Sequence, residues 1–193
     1  MTQIEITGYH GSSVISLEAR MIRNHQVFLQ GMIDSSSADV LVQQLMYIDG
    51  DASAAPVRLY INSPGGEVTN GLLIYDVLQM MKKPVDIYCM GMAASMAAVI
   101  LASGKKGHRH ILPHSKTMIH EPLIAGGSGG SATSIQRLSE SIMDTRRVIN
   151  GLLSRHTGKT REEIDKATSF DNYMNAEESI RFGLCDDITR TFG

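Results

Sequence analysis

The sequence predicts a single α/β domain built on a mainly parallel sheet. Two observations carry this. Strand-like runs alternate with amphipathic helical runs from about residue 26 to residue 104, and the crossovers are long enough for parallel pairing. The 193 residues show no internal repeat and no linker that would divide them.

The stretch up to about Ser13 is short and polar, with Gly8 and Gly11, and reads as a loose hairpin or a mobile end. Gln26–Gln30 reads as a strand, and Ser36 as the cap of a helix running to Ile48, with Val40, Leu41, Leu45 and Ile48 on one face. Gly50–Pro56 is a loop, Val57–Asn62 a second strand, and Ser63-Pro-Gly-Gly66 a turn. Thr69–Lys82 is an amphipathic helix stopped by Pro84. Ile111-Leu-Pro and Lys116–His120 are further strand candidates, and Gly126–Gly130 is a flexible stretch. The longest helix runs from Ala132 to His156, with more apolar positions than a solvated helix needs, and is expected to project toward a partner chain. Thr160 with Glu163, and Asn175 with Glu178, form capping boxes, and Gly183 ends the last helix.

Composition narrows the function. The chain is 42% hydrophobic and 20% charged, with a formal net charge of −2 and no Lys/Arg block, which argues against a nucleic-acid partner. The longest apolar run is interrupted by Gly91 and Ser95, so no membrane span is expected. Met-Thr-Gln-Ile-Glu-Ile lacks the basic-then-apolar pattern of a signal peptide. Cys89 and Cys185 form no CxxC pair and are expected to be reduced, which suits a cytoplasmic location.

The stretch from Val85 to Gly104 passes from β-favouring to helix-favouring residues, with the change placed at Gly91. It reads as a buried strand, a tight turn and a helix whose first turn carries Ser95. Such a serine is ordinarily an N-cap. It is also placed as a nucleophile, beside free amides and the positive end of a helix dipole. Acyl transfer by serine further needs a base, an orienting carboxylate and oxyanion donors. Of the seven histidines, His120 alone ends an apolar strand, before Glu121-Pro122. Asp171 follows a short helix, where a turn or cap role is the ordinary one. Gly65 and Gly66 make either a plain Pro-Gly turn or a bare backbone aimed at a reacting carbonyl.

Taken together, these residues resemble one family. Tyr60-Ile-Asn-Ser-Pro-Gly-Gly66, Cys89-Met-Gly-Met-Ala-Ala-Ser-Met96, Met118-Ile-His-Glu-Pro122 and Asp171-Asn-Tyr-Met-Asn-Ala176 are similar, in order, to the motifs of the Clp protease proteolytic subunit. The resemblance covers roughly residues 14 to 190, including Arg20, His156-Thr-Gly158 and Phe182-Gly-Leu-Cys-Asp186. It implies a crotonase-like fold of repeated β-β-α units over residues 1–193, with 1–17 as axial loop and about 123–156 as a projecting handle. It implies a serine endopeptidase with Ser95 as nucleophile, His120 as base and then acid, Asp171 as orienter, and the amides of Gly66 and Met96 as oxyanion donors. Substrate would pair as an added strand with Gly66, Glu67 and Val68 on one side and Leu123, Ile124 and Ala125 on the other. The implied assembly is two stacked heptameric rings, with itself or a paralogous ring, fed unfolded chains by an AAA+ unfoldase. ATP is used by that partner; no cofactor or metal is implied for this chain.

The sequence departs from the family at several positions. Ser169 and Phe170 stand where an acidic residue and an arginine form a ring-to-ring contact, and Ser134 replaces an acidic handle residue. Arg58 replaces an aromatic residue in the unfoldase-docking pocket. Glu121 replaces glutamine beside the base; a carboxylate facing an imidazole favours its protonated form, so an activity optimum displaced to higher pH is expected. Gly158-Lys-Thr160 mimics the end of a phosphate-binding loop, but Leu153 occupies the position of the required glycine. Two other readings are a ring subunit that is catalytically weak or active only beside a partner, and an acyl-CoA enzyme of the same superfold.

Overall fold

The computed structural model describes residues 2–8, 11–123 and 130–191. The chain opens as a hairpin in which β1 (Gln3–Gly8) pairs antiparallel with β2 (Gly11–Ser16). The Ser16 hydroxyl accepts from the Ala19 N–H and caps α1 (Leu17–Arg23). This helix was not expected, although Leu-Glu-Ala-Arg-Met after a capping serine are all good helix formers.

Three long strand–helix units follow: β3 (Gln26–Ile33), α2 (Ser35–Asp49), β4 (Val57–Gly66), α3 (Val68–Met80), β5 (Val85–Ala94) and α4 (Met96–Ala102). After them come β6 (Arg109–Ile111), β7 (Lys116–Ile119), α5 (Ala132–Thr157), α6 (Arg161–Thr168), β8 (Asn172–Met174), α7 (Ala176–Phe182) and β9 (Asp187–Ile188). The main sheet runs β3-β4-β5-β6-β9, all parallel, while β7 joins β5 and carries β8 antiparallel.

The sheet bends and branches along one line. Register shifts fall between Gln30 and Met32 on β3 and between Ile61 and Ser63 on β4. On β5, residues 87–89 pair with β6, but Met92–Ala94 pair with β7. Each bulged strand thus supplies the two short strands of a β-β-α unit, and the fold is the crotonase-like one. Ser63 plugs the bend: its hydroxyl donates to the Gly31 carbonyl (2.6 Å) and accepts from the Gly65 N–H (3.1 Å). Gly91 sits at the branch with φ +93, its N–H donating to the Ser115 hydroxyl at 2.7 Å.

Two expected turns are therefore strand. Ser63–Gly66 continues β4 along β3, and the chain passes Gly91 without leaving the sheet. Glycine and proline here mark bulges rather than reversals, which the residue types alone do not distinguish. Smaller corrections concern ends. Asp34, not Ser36, caps α2, because its carboxylate accepts from the Ser37 N–H while Ser37 reaches back to the Asp34 N–H. The helix predicted over Thr69–Lys82 spans Val68–Met80, and the strand placed at Ile111-Leu-Pro is Arg109–Ile111. Gly158 ends α5 with φ +78 and Thr160 caps α6, as expected of a helix end followed by a cap.

The core lies between the sheet and α2, α3 and α4, and α4 is buried along its whole length. The long helix divides into two parts. Ile149, Asn150 and Leu153 are buried against the body, while Ile135, Leu138, Met143 and Val148 are exposed.

Candidate active site

Strand pairing brings three residues together. β5 ends at Ala94, opposite Met118 of β7, and Met118 lies opposite Tyr173 of β8. Ser95 is the residue after Ala94. On β7 and β8 the last pair is Ile119 with Asn172, so continuing that register sets His120 across from Asp171.

The geometry bears the hallmarks of a relay. The Ser95 hydroxyl lies 2.9 Å from His120 Nε2, and His120 Nδ1 lies 3.0 Å from Asp171 Oδ1. An ionised carboxylate only accepts, so Nδ1 carries the proton and Nε2 is left to accept from the serine hydroxyl. The His120 side chain is 16% exposed and that of Asp171 61%.

Ser95 is no ordinary cap. With β5 ending at Ala94 and α4 starting at Met96, the chain reverses within this single residue, at φ 54 and ψ −124. That backbone is rare for a residue with a Cβ. The Ser95 N–H donates to the Met118 carbonyl (2.8 Å), and its own carbonyl accepts from the Ala98 N–H (3.0 Å). Its side chain makes no cap bond and turns to His120 instead. The strained strand-to-helix reversal is the arrangement that exposes a nucleophile.

The glycines sit against this elbow. A Cβ on Gly65 would lie 2.6 Å from the Ala94 carbonyl, 2.8 Å from Ser95 Cβ and 3.1 Å from the Met96 nitrogen. A Cβ on Gly66 would lie 2.2 Å from the Ile33 carbonyl oxygen. Only glycine fits at either position. Met96 opens α4, so no helical carbonyl precedes its N–H by four residues. Val68, Met96, Val99, Ile119, Ile149 and Leu153 line an apolar pocket that reaches Ser95 and His120. A wider groove between α1, β3 and α2 contains none of the three relay side chains.

The remaining expected positions divide. Gly66 and Glu67 precede α3, but Val68 is already its first residue, so the segment available for strand pairing on that side is shorter than expected. Leu123 is exposed. Ile124, Ala125 and most of the Gly126–Gly130 stretch lie outside the described residues. Ser134 takes part in the N-terminal cap of α5, where the Ser131 hydroxyl accepts from its N–H at 3.3 Å. Glu121 is paired with Arg146, whose Nε lies 3.1 Å from its carboxylate. The expected displacement of the pH optimum thereby loses its cause, because the arginine offsets the charge. The sequence reading missed Arg146, since nothing within a helix marks which loop it faces.

A sequence model of Clp protease matches residues 9–192. The chain belongs to the Clp protease family. Membership makes it a peptidase, and it agrees with the mixed α/β architecture around a parallel sheet. Among the described residues no group of three or more His, Cys, Asp or Glu is placed to hold a metal ion, and no helix is long and apolar enough to cross a membrane. Cys89 and Cys185 are buried and unbridged, and burial pushes the Cys89 thiol up to about 12.

Proposed function

We propose that this chain is the serine endopeptidase subunit of a self-compartmentalised, ATP-dependent protease that hydrolyses unfolded polypeptides and short peptides. The observation that supports this most is the continuous Ser95–His120–Asp171 relay on a strained elbow. In this reading His120 Nε2 takes the Ser95 proton as Oγ attacks the scissile carbonyl. The amides of Gly66 and Met96 receive the oxyanion, and His120 then protonates the departing amine. Water, activated by the same imidazole, hydrolyses the acyl-enzyme and restores Ser95. Asp171 keeps the ring in the correct tautomer throughout.

The substrate lies extended beside Gly66 and Glu67, with an apolar side chain against the apolar surface of Val68, Val99, Ile149 and Leu153. The exposed apolar face of α5 fits assembly into stacked heptameric rings, and an AAA+ unfoldase supplies both ATP hydrolysis and unfolded substrate. The chain needs no cofactor, and its setting is cytoplasmic. The relay argues against an acyl-CoA enzyme, which needs no activated serine.

One observation favours a narrower form of this reading. Phe170, beside Asp171, is 59% exposed where the family places a charged ring-to-ring contact, which favours activity confined to rings completed by a paralogous partner. The test is turnover of short fluorogenic peptides by the chain alone and then with candidate paralogues. Ser95→Ala should lower turnover by at least about 10⁴-fold without changing assembly. Full activity in that variant would end the proposal.

A further inference from the structure

We propose that Arg146 is a positioning residue for the base: its ion pair with Glu121 anchors the His120 loop to α5 and keeps the neighbouring carboxylate from competing with Asp171. This rests on the function proposed above and assigns a role that the relay alone does not require.

The contacts form one connected support. Arg146 Nε lies 3.1 Å from Glu121 Oε2, and Nη2 lies 4.0 Å from Asp165 Oδ1 of α6. Nε is buried and has no hydrogen-bond partner, so the Glu121 carboxylate compensates it as an ion pair rather than through an aligned hydrogen bond. One turn further along α5, the fully buried Asn150 donates from Nδ2 to Asp165 Oδ1 (2.6 Å) and Thr168 Oγ1 (3.2 Å). The Thr168 carbonyl in turn accepts from the Glu121 N–H at 2.8 Å. Thr168 precedes Asp171 by three residues, and Glu121 directly follows His120. The loops of base and orienter therefore hinge on one residue, and α5 grips that hinge through two side chains four residues apart.

Charge explains why an arginine is needed. His120 has the Asp171 carboxylate before it and the Glu121 carboxylate attached to its own loop. From α5 comes Arg146 and from α6 Asp165, whereas α4 and the first residue of α3 bring only apolar side chains to the pocket. Left unpaired, Glu121 presents the ring with a second acceptor and a second negative charge, which favours a protonated imidazole that cannot act as base. Paired, it contributes a tether and little field.

The test is the pH dependence of kcat/KM toward a short peptide for the full chain and for Arg146→Ala, Arg146→Lys, Glu121→Gln and the Arg146→Ala/Glu121→Gln double variant. Arg146→Ala should lower kcat about tenfold with KM little changed. It should also move the acid limb to higher pH by about half a unit. Arg146→Lys should restore the limb, and the double variant should return it to its wild-type position. Glu121→Gln alone should move it the other way, a measurement that stands even if Arg146→Ala fails to fold. Loss of amplitude with an unmoved limb in every variant would make Arg146 a structural residue and overturn the proposal. A wild-type chain that hydrolyses no peptide would count against the proposed function instead. In that case the NMR titration of the His120 ring in the same variants must show the same order of midpoints, and identical midpoints would overturn the positioning role separately.

Discussion

The serine and the carboxylate of this site are held in opposite ways. Ser95 sits between a sheet strand and a fully buried helix, with its backbone bonded to β7 and glycine packed against it. Asp171 is more than half exposed, just before a three-residue strand, and its loop is tied down through polar contacts with α5 and α6. Ser95 is placed by packing, which is nearly all-or-none; Asp171 is placed by hydrogen bonds and charge, which can be weakened by degrees. Damage at the first should abolish the site, and damage at the second should attenuate it in a way that salt and pH can modulate.

The sharpest way to break this contrast is Gly65→Ala. The new methyl group meets backbone and the Ser95 side chain rather than a flexible side chain, and φ +88 at this position strains any residue with a Cβ. We expect kcat/KM to fall about 10³-fold, with no recovery at any pH or ionic strength. A variant within tenfold of wild type would show that the elbow tolerates displacement. Next in size is Asp171→Asn. A buried orienting aspartate is worth about 10⁴-fold, but this one is screened by solvent, so a loss of about 10²-fold is expected. Wild-type activity should also decline more steeply with added salt than that of Asp171→Asn.

A third substitution separates fold from site. Arg109 is nearly fully buried and pairs with Asp186 through Nε at 2.9 Å and through a second nitrogen, while Nη1 donates to the carbonyls of His156 and Gly183. Burial works to raise the Asp186 carboxyl, but the Arg109 hydrogen bonds and charge outweigh it and hold the group below the usual carboxylate range. The sign follows: its stabilisation is fully present above the ordinary aspartate value and is lost as pH falls below it, through the lowered value of the folded state. Asp186→Asn should therefore cost about 3 kcal/mol in neutral urea melts, with the deficit shrinking in acid. Peptidase activity below the transition should remain within about twofold. Smallest of all should be Asn175→Ala, which removes the cap of α7: about 1 kcal/mol of stability and no measurable change in kcat/KM.

The same contrast explains what the sequence revealed. Helix ends marked by local chemistry were legible, as at Thr160, Asn175 and Gly183, because capping depends on residues three apart. The three relay residues were named from their motifs: Ser95 and His120 directly follow strands, and Asp171 directly precedes one. What escaped was non-local. The turns expected at Ser63–Gly66 and at Gly91 are bulges because neighbouring strands hold the chain in the sheet, and no local pattern records a neighbour. The reversal fell four residues later, on Ser95 itself, for the same reason. Asp34 took the cap assigned to Ser36 because the box is completed by Ser37, a residue type that also suits many other roles. Glu121 was recognised as unusual, but its partner lies 25 residues away on α5, and only the packing of that helix shows that its charge is offset.

The central claim is that Ser95 is an activated nucleophile. It is tested most directly by exposing the folded chain, alone and with candidate paralogues, to a fluorophosphonate probe and locating the adduct by peptide mass spectrometry. The account predicts one adduct, on Ser95, formed faster as pH rises through the neutral range and absent in Ser95→Ala and His120→Ala. A folded, assembled chain that remains unlabelled under all these conditions, or labels equally well without His120, would contradict it.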